Sequence, residues 1–230
     1  MIQPEQNALS ETLNNIRRYT EEHMELQRSH HFLFNLPLGK KSPKADVIVI
    51  GLNPGETDEQ WDTSKWDSSI TLPTEETNEF DFHEISNRSR SSIRWSQLCN
   101  QYLPNSRIVL SEFFFWSSGN LKKGFEERFG YSFKNCPHFE FCKTCNLELI
   151  KFHRPKLIVG TGTSWADFFA EKYDLKHIKT VECESDKRRR KIIIHYEWEN
   201  VPFIFTPHWS SGYVSNNEKT EIISYMSKYI

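Results

Sequence analysis

The 230-residue chain has no apolar run of membrane-spanning length, and its start, Met1-Ile2-Gln3-Pro4-Glu5-Gln6, does not read as a secretory signal. An intracellular protein without a membrane partner is the expectation, cytoplasmic if prokaryotic. It has no charge excess: 29 Lys and Arg against 31 Asp and Glu give a formal net charge of -2. With no global field to attract a polyanion, any contact with nucleic acid needs a local basic patch. The G-x-S-x-G elbow, the P-loop and the G-x-G-x-x-G fingerprint are all absent, which counts against an α/β hydrolase-like or nucleotide-binding enzyme. No internal repeat is visible. Cysteines are few and odd in number (Cys99, Cys136, Cys142, Cys145 and Cys183), and in an intracellular chain that argues against a disulfide framework.

Aromatic residues are plentiful at 14%, with seven Trp and seventeen Phe, enough to drive burial and to exclude disorder. The length suits one sizeable α/β core. Ser10 to about Gln27 reads as a helix, with Ser10 as N-cap and Leu13, Ile16 and Tyr19 on one face. A connector, Ser29–Pro43, follows. The expected division is therefore an N-terminal helix and connector over 1–44, packed on a domain over 45–230. Further helices are expected at Ser91–Tyr102, from about Cys142, at Thr163–Lys172 and at Glu218–Tyr229. Thr57–Asn87 is polar, acidic and aperiodic, and a loop of that length is more often functional than inert.

Apolar strands alternate with these helices. Asp46–Ile50, Ile108–Trp116, Leu157–Val159 and Phe203–Thr206 predict an α/β fold, a central and mainly parallel four-stranded sheet with helices on both faces. Three of the strands break into small and polar residues: Gly51-Leu52-Asn53-Pro54-Gly55, Gly160-Thr161-Gly162-Thr163 and Pro207-His208-Trp209-Ser210-Ser211-Gly212. In open α/β sheets ligands bind at the carboxyl ends of the strands.

Together these three segments resemble the uracil-DNA glycosylase superfamily, with its early G-x-N-P-G or G-x-D-P-Y loop, its middle R-P-K-x-I-V-x-x-G strand and its late H-P-S-type loop. The likeness runs from about Ala45 to Tyr229 and points to the Asn-type branch, mismatch- or single-strand-selective-like. The late loop keeps the His and the serine two positions on, but lacks the proline after the His. The resemblance implies a three-layer α/β/α fold and a monofunctional enzyme, a monomer, that hydrolyses the N-glycosidic bond of a base flipped out of DNA. It implies no cofactor.

In that reading Asn53 orients a water for attack on the sugar carbon, because an amide does not titrate. His208 stabilises the departing anionic base as a donor in an oxyanion hole does. Ser210 and Ser211 would bond a phosphate beside the flipped nucleotide. The plain alternatives are an ordinary loop histidine and a turn asparagine tolerated for its left-handed backbone. Glu112 falls where uracil-excising members carry an asparagine that reads the base. Three readings stay open: Glu112 is protonated, the base is not plain uracil, or the match is misplaced; the plain alternative is a strand-end charge facing solvent. Trp61, Trp66 and Phe113 are candidate stacking faces for the base, and Trp209 a candidate wedge into the duplex, with core packing as the alternative for each.

Lys187, Arg188, Arg189 and Arg190 sit in a basic run between two strands of a hairpin, roughly Lys179–Glu184 and Lys191–Trp198. The run is either a solvated turn or the DNA contact. Some superfamily members carry an iron–sulfur cluster with two cysteine ligands in the N-terminal region, and no cysteine precedes Cys99 here. No metal is expected. Cys136, Cys142 and Cys145, with His138 and His153 nearby, leave a zinc site as the minor option against free thiols. A non-catalytic binder of DNA or of a modified base is the competing function.

Overall fold

The computed structural model describes residues 4–29, 34, 36–38, 44–55, 90–119, 123–185, 188–209 and 214–230. Trp61, Trp66, Lys187, Ser210, Ser211 and all of the Thr57–Asn87 segment lie outside the described residues, as do the side chains of Arg188 and Arg189. Two compact units interleave along the chain. One comprises the described residues of Met1–Leu36, Asn53–Glu79 and Ser111–Phe152; the other, those of Pro37–Leu52, Phe80–Leu110 and His153–Ile230.

The first unit starts with α1 (Pro4–Glu22), on which Leu13, Ile16 and Thr20 are buried at helical spacing. The helix begins earlier than the N-cap assigned to Ser10, which lies inside it. A 3-10 turn, Leu26–Arg28, follows. α3 (Lys123–Phe129) and α4 (Phe139–His153) belong to the same unit. Its core is aromatic. Phe114 meets the rings of Phe125, Phe129, Phe133 and Phe139 at steep angles, with centroids 4.9, 5.1, 6.4 and 6.3 Å away. Edge-to-face contacts of this kind let the positive ring edge meet the negative face of its neighbour. Two long side chains of this core are anchored through polar atoms: the Trp116 indole donates to Thr20 Oγ1 at 3.1 Å, and Arg128 donates to the Arg28 carbonyl at 2.6 Å.

The second unit is built on a sheet, although Leu36 of its first strand and Ser111 and Glu112 of its third belong to the first unit. Its strands are β1 (Leu36–Leu38), β2 (Val47–Gly51), β3 (Ile108–Glu112), β4 (Leu157–Thr161), β5 (Lys176–Ser185), β6 (Arg188–Trp198) and β7 (Val201–Thr206). Their order is β1-β3-β2-β4-β7-β6-β5. The four strands read from the sequence are thus consecutive neighbours. β2 pairs β4 in parallel, Val47 opposite Leu157, and β4 pairs β7 in parallel, Ile158 opposite Phe203. Every residue of β2, β3 and β4 is buried, which is why they read as continuous β-branched runs.

Among the described residues the sheet has seven strands rather than the expected four, and it is mixed. β5, β6 and β7 form antiparallel pairs, because the basic hairpin joins the sheet through β6. β5 is the edge strand. Lys176, His177, Lys179 and Glu182 are exposed along it, and its ladder shifts register twice, features that discourage edge-to-edge association.

Helices α2 (Arg90–Tyr102), α5 (Ala166–Tyr173) and α6 (Asn216–Met226) complete the unit. α6 starts with a reciprocal capping box between Ser215 and Glu218, and Glu218, Ile222 and Met226 share its buried face. The buried Glu218 carboxylate is paired by the Arg190 guanidinium in a two-pronged ion pair.

Gly160 lies opposite Phe205 in the β4–β7 ladder, and a Cβ at 160 would stand 2.5 Å from that ring. Phe205 cannot retreat easily, since it stacks on Phe203 at 5.2 Å and meets Tyr196 edge-on at 5.8 Å. Gly160→Ala should therefore lower unfolding free energy by about 1–3 kcal/mol, as overpacking does. Adding Phe205→Leu should return part of that loss. Denaturant melts of the single and double variants check this, and strict additivity would show that the ring is not the obstacle.

Candidate active site

The parallel pairing of β2, β4 and β7 brings their carboxyl ends to one edge of the sheet. Gly51-Leu52, Thr161-Gly162 and Thr206-Pro207-His208 all emerge there. Gly162 adopts φ +116, a left-handed value that an L side chain resists, and its N–H donates to the Thr206 carbonyl at 2.7 Å. This bond joins the turn after β4 to the end of β7. The Thr161 hydroxyl, fully buried at the same edge, has no hydrogen-bond partner among the described residues.

His208 is half-buried on the first turn past β7. Its ring meets Trp95 edge-on at 5.5 Å. Trp209 fixes the backbone beside it. That indole is 2% exposed, stacks flat on Tyr102 at 4.6 Å, and donates to Thr206 Oγ1 at 2.9 Å. Trp209 is therefore a core anchor, the core-packing alternative of its two readings, and not a wedge for DNA. The Tyr102 hydroxyl, pushed up to about 12 by burial and the nearby Glu218 carboxylate, stays protonated.

Asn53, two residues past β2, belongs to the first unit. Its Nδ2 donates to Ser118 Oγ at 2.7 Å and to the Pro54 carbonyl at 3.1 Å. The Ser118 N–H donates to that same carbonyl at 3.2 Å, and Gly55 bridges Ser118. A carbonyl only accepts, so the amide orientation is determined by this pairing. Both NH₂ protons are engaged, and Oδ1 accepts no hydrogen bond among the described residues. What Asn53 has left to offer is a fixed acceptor.

Glu112 closes β3 in the same unit. Only 9% of it is exposed, and its Oε2 has no hydrogen-bond partner among the described residues. Asn146 holds its backbone: Nδ2 donates to the Glu112 carbonyl at 2.9 Å while Oδ1 accepts from Ser111 Oγ at 2.6 Å. Burial alone raises the carboxyl well above its ordinary value of 4.5, because the ionised form would lose its hydration without gaining a partner. Of the three readings left open, the structure supports a protonated Glu112, and it removes the solvent-facing charge. Phe113, next in the chain, is 1% exposed and lies in the core.

Of the basic run, Arg190 holds Glu218, so one member of the expected DNA contact is occupied in building the fold. The zinc option finds no support. No three His, Cys, Asp or Glu side chains are arranged to hold a metal among the described residues. Cys136, Cys142 and Cys145 are buried free thiols that burial raises, Cys136 to about 12, the opposite of what a metal thiolate needs. His138 is engaged by Tyr19 at 2.9 Å and Glu25 at 3.1 Å, and His153 Nδ1 accepts from the Ala45 N–H at 3.1 Å.

Sequence reasoning missed Ser118, Asn146, Trp95 and Tyr102. Only Asn146 left a trace: it shares an apolar helix face with Cys142, Cys145 and Leu149, where a buried amide must have partners. No protein-family model matches the chain, and no curated protein matches it significantly.

Glu112 binds its proton more tightly in the folded than in the unfolded chain. Its stabilising contribution is full below 4.5, declines as pH rises toward the raised folded value, and is lost above it. Glu112→Gln removes that dependence. The melting temperature of wild type relative to Glu112→Gln should therefore fall as pH is raised, and a constant difference would show that the carboxyl is ionised in the fold.

Proposed function

We propose that the protein is a monofunctional DNA base-excision glycosylase with a three-layer α/β/α architecture of the uracil-DNA glycosylase type. It acts as a monomer, without a cofactor, on a base flipped out of DNA. The observation that carries this reading is the polarised amide of Asn53. With Nδ2 held by Ser118 and Pro54, its Oδ1 accepts a hydrogen bond from a water and points the water's lone pair at the sugar carbon. As the N-glycosidic bond breaks, the electron pair leaves with the base, that water captures the sugar cation, and the proton it then sheds passes to the departing base or to solvent. His208 donates to the anionic base, and the stacked and hydrogen-bonded Trp209 holds the turn that carries it. Lys187, Arg188, Arg189, Ser210 and Ser211 supply the phosphate contacts in this reading, and Trp61 and Trp66 the stacking face.

The test is base release from oligonucleotides carrying uracil, hypoxanthine or a modified cytosine, revealed by alkaline cleavage at the abasic site. Single-turnover rates of Asn53→Ala and His208→Ala should each drop on the order of 10²-fold while DNA affinity stays near wild type, since both groups act on charge that develops in the transition state. Neutralising Lys187, Arg188 and Arg189 together should do the reverse, weakening binding and flattening its salt dependence. Equal activity of wild type and both variants on every base would end the catalytic reading. DNA binding without any release would leave a non-catalytic reader of the same fold.

A further inference from the structure

We propose that helix α2 clamps the turn after β7, and that Trp95 is the positioning residue for the His208 ring. The role of His208 rests on the base-excision reading; the way it is held rests on the contacts of α2.

His208 stands two residues past the end of β7, beyond the last rungs of the ladders to β4 and β6. A proline after the histidine would stiffen such a turn by fixing φ at the next residue. Trp209 has that place, and it stiffens the turn through its buried side chain instead. Helix α2 supplies the surface. Trp95 and Tyr102 lie seven residues apart on it, close to two full turns, which brings both to one face. Tyr102 stacks flat on the Trp209 indole at 4.6 Å, and Trp95 packs against the same indole at 6.2 Å with a tilt of 50°. Thr206 Oγ1 accepts the indole N–H at 2.9 Å. With two rings and a hydrogen bond on Trp209, the peptide that joins it to His208 is fixed.

A fixed backbone still leaves a histidine two side-chain torsions. Trp95 restrains these as well, since its ring meets the imidazole at 5.5 Å and 73°, a T-shaped contact. The positive edge of one ring there meets the negative face of the other, and swinging the imidazole away forfeits that attraction. Trp95 is itself half-buried and rests on Trp209, so the partner that restrains His208 is restrained in turn. A donor to charge that develops in the transition state is most effective when it need not reorganise, so an imidazole oriented in advance serves better than a mobile one. One face of α2 thus sets both the backbone and the ring of a residue far along the chain.

Two readouts on the full chain test this. The first is NMR of the His208 ring protons, assigned with His208→Gln and displaced from their ordinary positions by the ring current of Trp95. Trp95→Leu should return them toward those positions, and Trp95→Phe should keep part of the displacement. Trp95→Met fills the space with a flexible chain and replaces the leucine variant if that one melts below the assay temperature. The second readout is single-turnover base release. Trp95→Leu should slow it about three- to tenfold, with DNA affinity within about twofold of wild type, and Trp95→Phe should recover most of the rate. In the His208→Ala background Trp95→Leu should cost nothing further, because Trp95 acts only through His208. His208 signals unmoved by Trp95→Leu overturn the proposal. So does a full additional loss in the double variant, or weakened DNA binding at an unchanged rate, which would put Trp95 on the DNA itself. Displaced signals that Trp95→Leu abolishes, together with no base release from any oligonucleotide, keep the clamp and end the base-excision reading.

Discussion

Burial of β2, β4 and β7 on both faces is the constraint from which the rest follows. Strands covered on both sides are apolar through their middles, so polar side chains gather at their carboxyl ends, where Thr161 and Thr206 pair in the last register position. The parallel pairing makes all three stop at one edge, and the chain must turn there. The Gly162 to Thr206 bond shows how tightly these turns are tied. It commits two neighbouring strand ends to one geometry, and His208 stands on the second of them.

The polar groups past the strand ends differ in how they are held. Trp209 is gripped by a hydrogen bond and a stacked ring, so the histidine before it starts from a rigid base. Asn53 is oriented by a hydroxyl and a carbonyl, which leaves its acceptor defined. Glu112 is positioned through its backbone, while its Oε2 has no hydrogen-bond partner among the described residues.

The basic hairpin shows how one stretch of sequence divides its duties. Glu218 serves both as the N3 member of a capping box and as a buried carboxylate, and Arg190 supplies the charge it needs. Removing Arg190 would leave the buried Glu218 carboxylate without its cation, so this pair belongs to the fold. The hairpin itself extends the sheet beyond its parallel centre, and β5 ends it with exposed charges and two register shifts.

The sequence alone determined the α/β class, the four central strands as sheet neighbours and the turns that end them, because β-branched runs and Gly-Pro punctuation are local signals. It also located the hairpin and most helices, the latter to within a few residues at their ends. Tertiary structure decided what no local pattern carries. That the sheet has seven strands, that Arg190 faces Glu218 twenty-eight residues on, that Trp209 lies on Tyr102 and that Asn146 holds Glu112 are all contacts between segments far apart in the chain. The charge state of Glu112 belongs to the same class. A carboxyl written in a sequence has its ordinary affinity for a proton, and only the burial supplied by other segments raises it.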